Sequence, residues 1–372
     1  MSEVLVVTWD GGGAVPPALG IAGELQDRGH VVRVLGHESL RARVESAGFV
    51  MHTYRRARTW RPSARQSTRR AELAFLATCL DRGVGRDVAA VLRAHPCDLV
   101  VVDCMLFGAF AAVRRAGVRH VSLVHTLYAY MRREFGSGVL DAAAAVKGLR
   151  PGRLWDGADR ALVTTLPSLE AASPLPSNTR VVGPVIPPTA AAVSAGSSGK
   201  VLVSLSSLYY PGQVAVLQSV VDAVAGLPVP VVVTTGDAVR PAEIRAPRGV
   251  EVLGYVPHAA VMPGSSMVVG HGGHSTAMQA LAHDLPMVIL PMFDRSDHPM
   301  VGSVLQRAGA AEVVSRDAGP AAIRAAVDRM LAPGPHRAAA ARLGAEIRAA
   351  PGAVTAADEI EALLPPPSSR RS

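Results

Sequence analysis

Residues 266–291 read SMVVGHGGHSTAMQALAHDLPMVILP. A β-branched run ends at Gly270, and His271, Gly272, Gly273, His274, Ser275 and Thr276 form a tight turn before helical spacing sets in from about Ser275 to His283. Glycines let a backbone approach a ligand closely. Ser275 and Thr276 are of the types that cap a helix and offer hydroxyls. A helix N-terminus adds free N–H groups and a positive dipole end, so the turn suits a diphosphate, to which His271 can donate a hydrogen bond. The same residues also read as an ordinary capped strand-to-helix turn with no ligand.

Working outward, the second half alternates strand-like and helix-like runs: KVLVSLS, a helical stretch over VAVLQSVVDAVAGL, PVVVTTG, VEVLGYV, the strand before His271, and PMVILPM. The first half does the same, with EVLVVTW, a helix over PALGIAGELQDRG stopping at Gly29, then HVVRVLG, CDLVVVD, AFAAVRRAG and HVSLVHT. Continuous apolar strands alternating with helices predict parallel sheets covered on both faces. Between the halves, GPVIPPTAAAVSAGSSG reads as a linker. The expected division is a first domain over 1–183, a linker over 184–199, a second domain over 200–350, a helix over 351–364 and a disordered tail over 365–372. Two α/β units so joined imply a cleft, with ligands beyond the carboxyl ends of the strands.

The chain has 372 residues, 49% of them apolar, enough for two cores. No apolar run reaches the roughly 18 residues of a membrane span. MSEVLVVTWDGGG carries no basic leader and reads as a first strand, so the expected location is the cytoplasm. Cys79, Cys97 and Cys104 lack metal-type spacing. The net charge of +8 is almost all arginine, with lysine only at 147 and 200. A basic surface helps capture an anionic nucleotide-sugar and is weak evidence for nucleic acid. RRARTWRPSARQSTRR, residues 55–70, is a dense basic run, read as an acceptor-side loop or solvated surface rather than a nucleic-acid or membrane patch.

The turn resembles the donor-binding signature of family 1 glycosyltransferases with the GT-B fold, HGGxGT…E-A-L…P…P. GYVPHAAVMPGSSMVVGHGG is similar to that family's lead-in, VLVSLSS to its V-S-L-G-S/T loop, and PALGIAGELQDRGHVVRV to its P-x-L-x-L-A-x-x-L-x-x-R-G-H-x-V helix. The resemblance is nearest to antibiotic-tailoring enzymes of actinomycetes. It implies an α/β GT-B architecture, two Rossmann-like domains with parallel sheets facing across a cleft. The implied activity is an inverting, metal-independent transfer of a sugar to a small hydrophobic natural-product acceptor. The donor would be a nucleoside diphosphate sugar, first guess a deoxysugar on dTDP or UDP. No cofactor, nucleic acid or integral membrane partner is implied; homodimerisation is an open expectation.

Carried over by position, His271, Gly272, Gly273, His274, Ser275 and Thr276 would line the diphosphate, Ser207 would face it, and Val256 and His258 would frame the base. Gln279 stands where the family usually has a Glu for the ribose, a departure compatible with a deoxyribose. Asp294, Asp297 and His298 are candidates for the family's Asp-Gln pair on the sugar, or form a solvated acidic loop. The sharpest departure is Ala14, beside Gly12 and Gly13 on the acceptor side, where the family often carries its catalytic His. Asp103 matches the Asp that partners the missing His and is the leading candidate base; Asp10 and His125, at neighbouring strand ends, are alternatives, and each also reads as a capping or structural residue. An acidic acceptor would need no strong base. Rival readings are a nucleotide-sugar 2-epimerase and a non-catalytic nucleotide-sugar-binding helper, the latter favoured by Ala14. A zinc site at His271 and His274 lacks further ligands.

Overall fold

The computed structural model describes residues 1–136, 139–170, 174–187 and 199–365; the centre of the predicted linker, 188–198, and the predicted tail from 366 lie outside the described residues. The chain forms two compact units. In the first, β1 (Glu3–Val7), β2 (Val31–Gly36), β3 (Val50–Thr53), β4 (Leu99–Asp103), β5 (Arg119–Val124), β6 (Arg160–Val163) and β7 (Thr179–Val181) make a sheet ordered β3-β2-β1-β4-β5-β6-β7. In the second, β8 (Lys200–Ser204), β9 (Val231–Thr234), β10 (Val250–Leu253), β11 (Ser265–Gly270), β12 (Met287–Ile289) and β13 (Ala311–Val313) are ordered β10-β9-β8-β11-β12-β13. Every pairing described is parallel. In each sheet the order reverses between the first strand and the fourth, the place where doubly wound sheets bind ligands.

The strands behave as their composition requires. All five residues of β4 are buried, and β1 is buried from Val4 to Val7. Each unit has its own core, one built around Val4, Val6, Ile21, Leu25, Leu99 and Val101, the other around Val201, Val203, Val220, Met267, Val269 and Val288. The helix Val15–Asp27 starts with proline in its first turn and ends before Gly29, whose φ of +85° suits a helix stop.

Two features have no local signature. The helix Gly352–Glu361 belongs to the first unit, where Ala356, Ala357 and Ile360 join the core; Arg28 bonds Asp358 and Glu361 there, both at 2.7 Å. The basic run, read as an acceptor-side loop or solvated surface, divides. Asp87 accepts from the backbone N–H groups of Arg55, Arg56 and Ala57 within the first unit, whereas residues Arg61–Ala71 group with the second. There Arg65 pairs with Glu243 at 2.5 Å and lies 5.9 Å over the Tyr209 ring, while Pro62 O accepts from Tyr209 N.

The helix that follows β4, Phe107–Ala116, is held by backbone contact with the helix Arg82–Ala94. A Cβ at Gly108 would overlap the Asp81 carbonyl, and one at Gly85 would overlap the Gly108 carbonyl. Gly108→Ala must push the helices apart, and should cost about 1–3 kcal/mol in chemical denaturation. A wild-type unfolding midpoint in that variant would contradict this packing.

Candidate active site

In the first unit the carboxyl ends of β4 and β5 bring two candidate residues together. Asp103 is 1% exposed, and its Oδ1 accepts from Met105 N at 2.9 Å. Its Oδ2 lies 3.1 Å from His125 Nδ1. His125 is the member of the pair that reaches solvent, with 12% of its side chain exposed against 0% for Asp103. Cys104 Sγ is 3.7 Å from the same nitrogen, and ligand atoms of Asp103, Cys104 and His125 lie within 4.8 Å of one another. Burial opposes charge on His125, but the Asp103 carboxylate, with help from Cys104, outweighs it and holds the imidazole well above its ordinary pKa. Burial pushes the Cys104 thiol up, so it stays protonated.

This geometry corrects the assignment of Asp103 as the base. A fully buried carboxylate is closed to an acceptor hydroxyl, although it can orient and charge an imidazole that reaches solvent. The alternative of a mere cap is half right, since Oδ1 does bond the backbone two residues on. Asp10 is engaged elsewhere, its carboxylate accepting from Ser39 Oγ at 2.7 Å and its carbonyl from Trp60 Nε1 at 2.6 Å. Ala14 is fully buried, while Gly12, with φ +63°, and Gly13 are half-buried beside it.

In the second unit the loops after β8 and β11 carry the other candidates. Gly272 has φ +86°, and a Cβ there would come within 2.8 Å of Ile289 and 3.0 Å of the His298 carbonyl oxygen; at Gly273 it would overlap the His271 ring. Only glycine fits either position. Gly273 is also the N-cap of the helix His274–Ala282 and makes no side-chain cap bond. The expected capping by Ser275 and Thr276 is therefore not met: Gly273 holds the N-cap and both residues lie inside the first turn. Ser275 instead takes a 3.2 Å bond from Gln279 Nε2 through its Oγ, a constraint on the residue expected at the ribose.

Ser206 holds φ at +141°, a strained conformation for a residue with a side chain. Buried Gln213 clasps this loop, donating to Ser206 O at 3.2 Å and accepting from Tyr210 N at 3.0 Å. Ser207 is half-buried beside it, as is Val256 in the turn before the helix His258–Val261. His258 Nε2 lies 3.1 Å from Ser204 Oγ, at the end of β8. His298, expected at the sugar hydroxyls, is 2% exposed and packs edge-to-face on His271, ring centres 4.6 Å apart. The other two candidates for that pair differ: Asp297 is largely covered and Asp294 is open, 3.8 Å from Arg316. Burial lowers His258 and His271 to about 4, and lowers His298 well below its ordinary value. Sequence reasoning missed Tyr210, whose ring lies 5.3 Å from His298, and Gln213; neither is part of a motif.

The model of the erythromycin biosynthesis protein CIII-like C-terminal domain matches residues 218–363. The 4'-demethylrebeccamycin synthase of Lentzea aerocolonigenes is 26% identical over 429 residues, covering 98% of this chain and all of that one. Demethyllactenocin mycarosyltransferase of Streptomyces fradiae is 32% identical over 178 residues, 45% of this chain and 36% of its own. The chain has the GT-B fold, and the proteins it resembles in sequence are natural-product glycosyltransferases. Solved structures agree on the fold: the glycosyltransferase of kitacinnamycin superposes with a TM-score of 0.77 at 23% identity, covering 98% of this chain and 99% of that one. VinC, solved in complex with dTDP, gives 0.72 at 22% identity, covering 97% and 99%. The chain thus carries both candidate groups at carboxyl ends of strands, the first beyond β4 and β5 and the second beyond β8 and β11, where the order of the second sheet reverses. Among its described residues no helix is long and apolar enough to cross a membrane.

Proposed function

We propose that this glycosyltransferase moves a sugar, with inversion and without a metal, from a nucleoside diphosphate to a hydroxyl of a small natural-product acceptor. The observation that carries the reading is the Asp103–His125 pair at 3.1 Å. His125 takes the acceptor proton as the acceptor oxygen bonds the anomeric carbon. The bond from that carbon to the phosphate oxygen breaks, and the nucleoside diphosphate leaves with the electron pair. Asp103 positions His125 and stabilises the imidazolium that results. The leaving diphosphate rests on the N-terminal turn of the helix His274–Ala282, with His271 beside it, an arrangement able to stabilise charge without a cation. VinC and a spinosyn rhamnosyltransferase were both solved with thymidine diphosphate, which supports that nucleotide here ahead of uridine diphosphate. The relatives' names support an antibiotic-type acceptor and a deoxysugar. We place the reaction in the cytoplasm, with no cofactor beyond the nucleotide-sugar. The pair also supplies a base where Ala14 lacks one, and so answers the feature that favoured a helper. Products separate the rivals: an epimerase isomerises donor without acceptor, and a helper turns nothing over.

The base assignment has a signed pH dependence. Asp103 raises the His125 pKa, so at neutral pH much of His125 is protonated and idle, and turnover should climb as pH rises above the ordinary histidine range near 6.5. Asp103→Asn removes the raising charge. Its acidic limb should move to lower pH while kcat falls roughly 10²–10⁴-fold from lost positioning. An unshifted limb, or near-normal turnover in His125→Gln, would contradict the assignment.

The Asp103, Cys104 and His125 grouping is also what a metal-dependent reading would use. Turnover should survive excess EDTA. Loss of activity restored by a divalent ion would show that the cluster holds a metal.

A further inference from the structure

Three imidazoles surround the turn at the end of β11: His258, His271 and His298. Two of them form a unit. The His271 and His298 rings meet at 86° with centres 4.6 Å apart, their residues are 8% and 2% exposed, and the Nδ1 atom of each finds no partner among the described residues. Neighbouring elements face this pair with few charges. Tyr210, after β8, brings its hydroxyl to 3.5 Å from His298 Nε2 and its ring to 6.4 Å from His271; burial pushes that hydroxyl well above the ordinary tyrosine range, so it stays neutral. From the helix His258–Val261, His258 disfavours charge on His271 and is itself bonded to Ser204 Oγ. Asp297, at the cap of the helix His298–Arg307, has Oδ1 4.0 Å from His298 Nε2. Phe293 stacks on Tyr210 and contributes no charge.

So packed, both rings are neutral when nothing is bound, since burial penalises each imidazolium and each ring disfavours charge on the other. A sugar diphosphate on the helix N-terminus changes that balance, because it brings two negative charges to the same turn. One imidazolium then becomes favourable. A second does not, because two cations at this separation repel. We propose that the His271–His298 pair takes up one proton when a nucleotide-sugar occupies the turn, and that this shared proton offsets the charge that builds on the departing nucleoside diphosphate. The inference rests on the donor assignment above and reassigns His298 from the sugar to the phosphates. During transfer the bond from the anomeric carbon to the phosphate oxygen breaks with both electrons going to oxygen, so the product nucleotide carries one more negative charge than its sugar ester. The acceptor proton goes to His125. The proton on the pair is not consumed and returns to solvent when the nucleotide leaves.

Calorimetry tests this without turnover. dTDP-glucose and UDP-glucose are esterified at both ends of the diphosphate and carry no phosphate that titrates near neutrality, so a proton taken up on binding comes to the protein. Binding enthalpy is measured at pH 7.5 in buffers of widely different ionisation enthalpy, and its slope counts protons. The wild-type protein should take up roughly half to one proton per nucleotide-sugar bound, and its affinity should weaken as pH rises. In the double variant His271→Gln with His298→Gln, checked for folding by circular dichroism, uptake should fall close to zero with weakened binding. Binding by wild-type protein with no proton uptake overturns the proposal whatever the variant does, as does undiminished uptake in the folded double variant. If neither sugar nucleotide binds, the donor assignment itself fails and this inference goes with it.

Discussion

A carboxylate with 1% exposure needs a partner, and in this molecule the need falls on Asp103. It ends β4, an apolar strand with no room for a counter-charge along its length. Its partner comes from the neighbouring strand. β4 and β5 run parallel with Asp103 opposite Leu123, so the chain two residues beyond Leu123 delivers His125 to the same edge. The Asp103 Oδ1 bond to Met105 N fixes the carboxylate's rotation, leaving Oδ2 for the imidazole. The helix after β4 packs through Gly108 against the chain at Asp81, which holds this edge in place. A histidine after β1 is therefore not required for an Asp–His pair: the sheet offers a second place for it.

The second unit meets a related constraint with neutral groups. The turn after β11 needs close backbone approach, and Gly272 and Gly273 provide it at positions where a side chain would strike Ile289, the His298 backbone or the His271 ring. The resulting closeness buries His271 and His298, and that burial disfavours charge on both. Where the first unit raises an imidazole with a resident carboxylate, the second lowers its imidazoles by burial. That opposition of pKa values is what the proposed division between a proton acceptor and a charge-neutralising turn requires.

Much of the fold was legible because continuous apolar strands such as CDLVVVD leave few alternatives to a covered parallel sheet. The turn at residues 271–276 was legible because glycine spacing reports backbone geometry directly. The details failed where the deciding contact is distant in sequence. Nothing local pairs Asp103 with His125, twenty-two positions on, and nothing in PMFDRSDHPM says that His298 turns inward onto His271 while Asp294 stays in water. Ser275 and Thr276 have capping chemistry, but the helix begins at His274, with Gly273 at the cap two residues before Ser275. Residues 61–71 grouping with the second unit, and the last helix with the first, follow from packing that composition does not encode.

The account turns on the charge state that Asp103 imposes on His125. Nuclear magnetic resonance of protein labelled at its histidine side chains, with the His125 signal assigned through His125→Gln, reads that state directly as pH is varied. The account predicts that the His125 ring is still largely protonated at neutral pH and loses its proton clearly above the ordinary histidine range near 6.5, and that Asp103→Asn brings the transition down. A His125 ring that titrates at or below 6.5 in the wild-type protein, with no response to Asp103→Asn, would contradict the account.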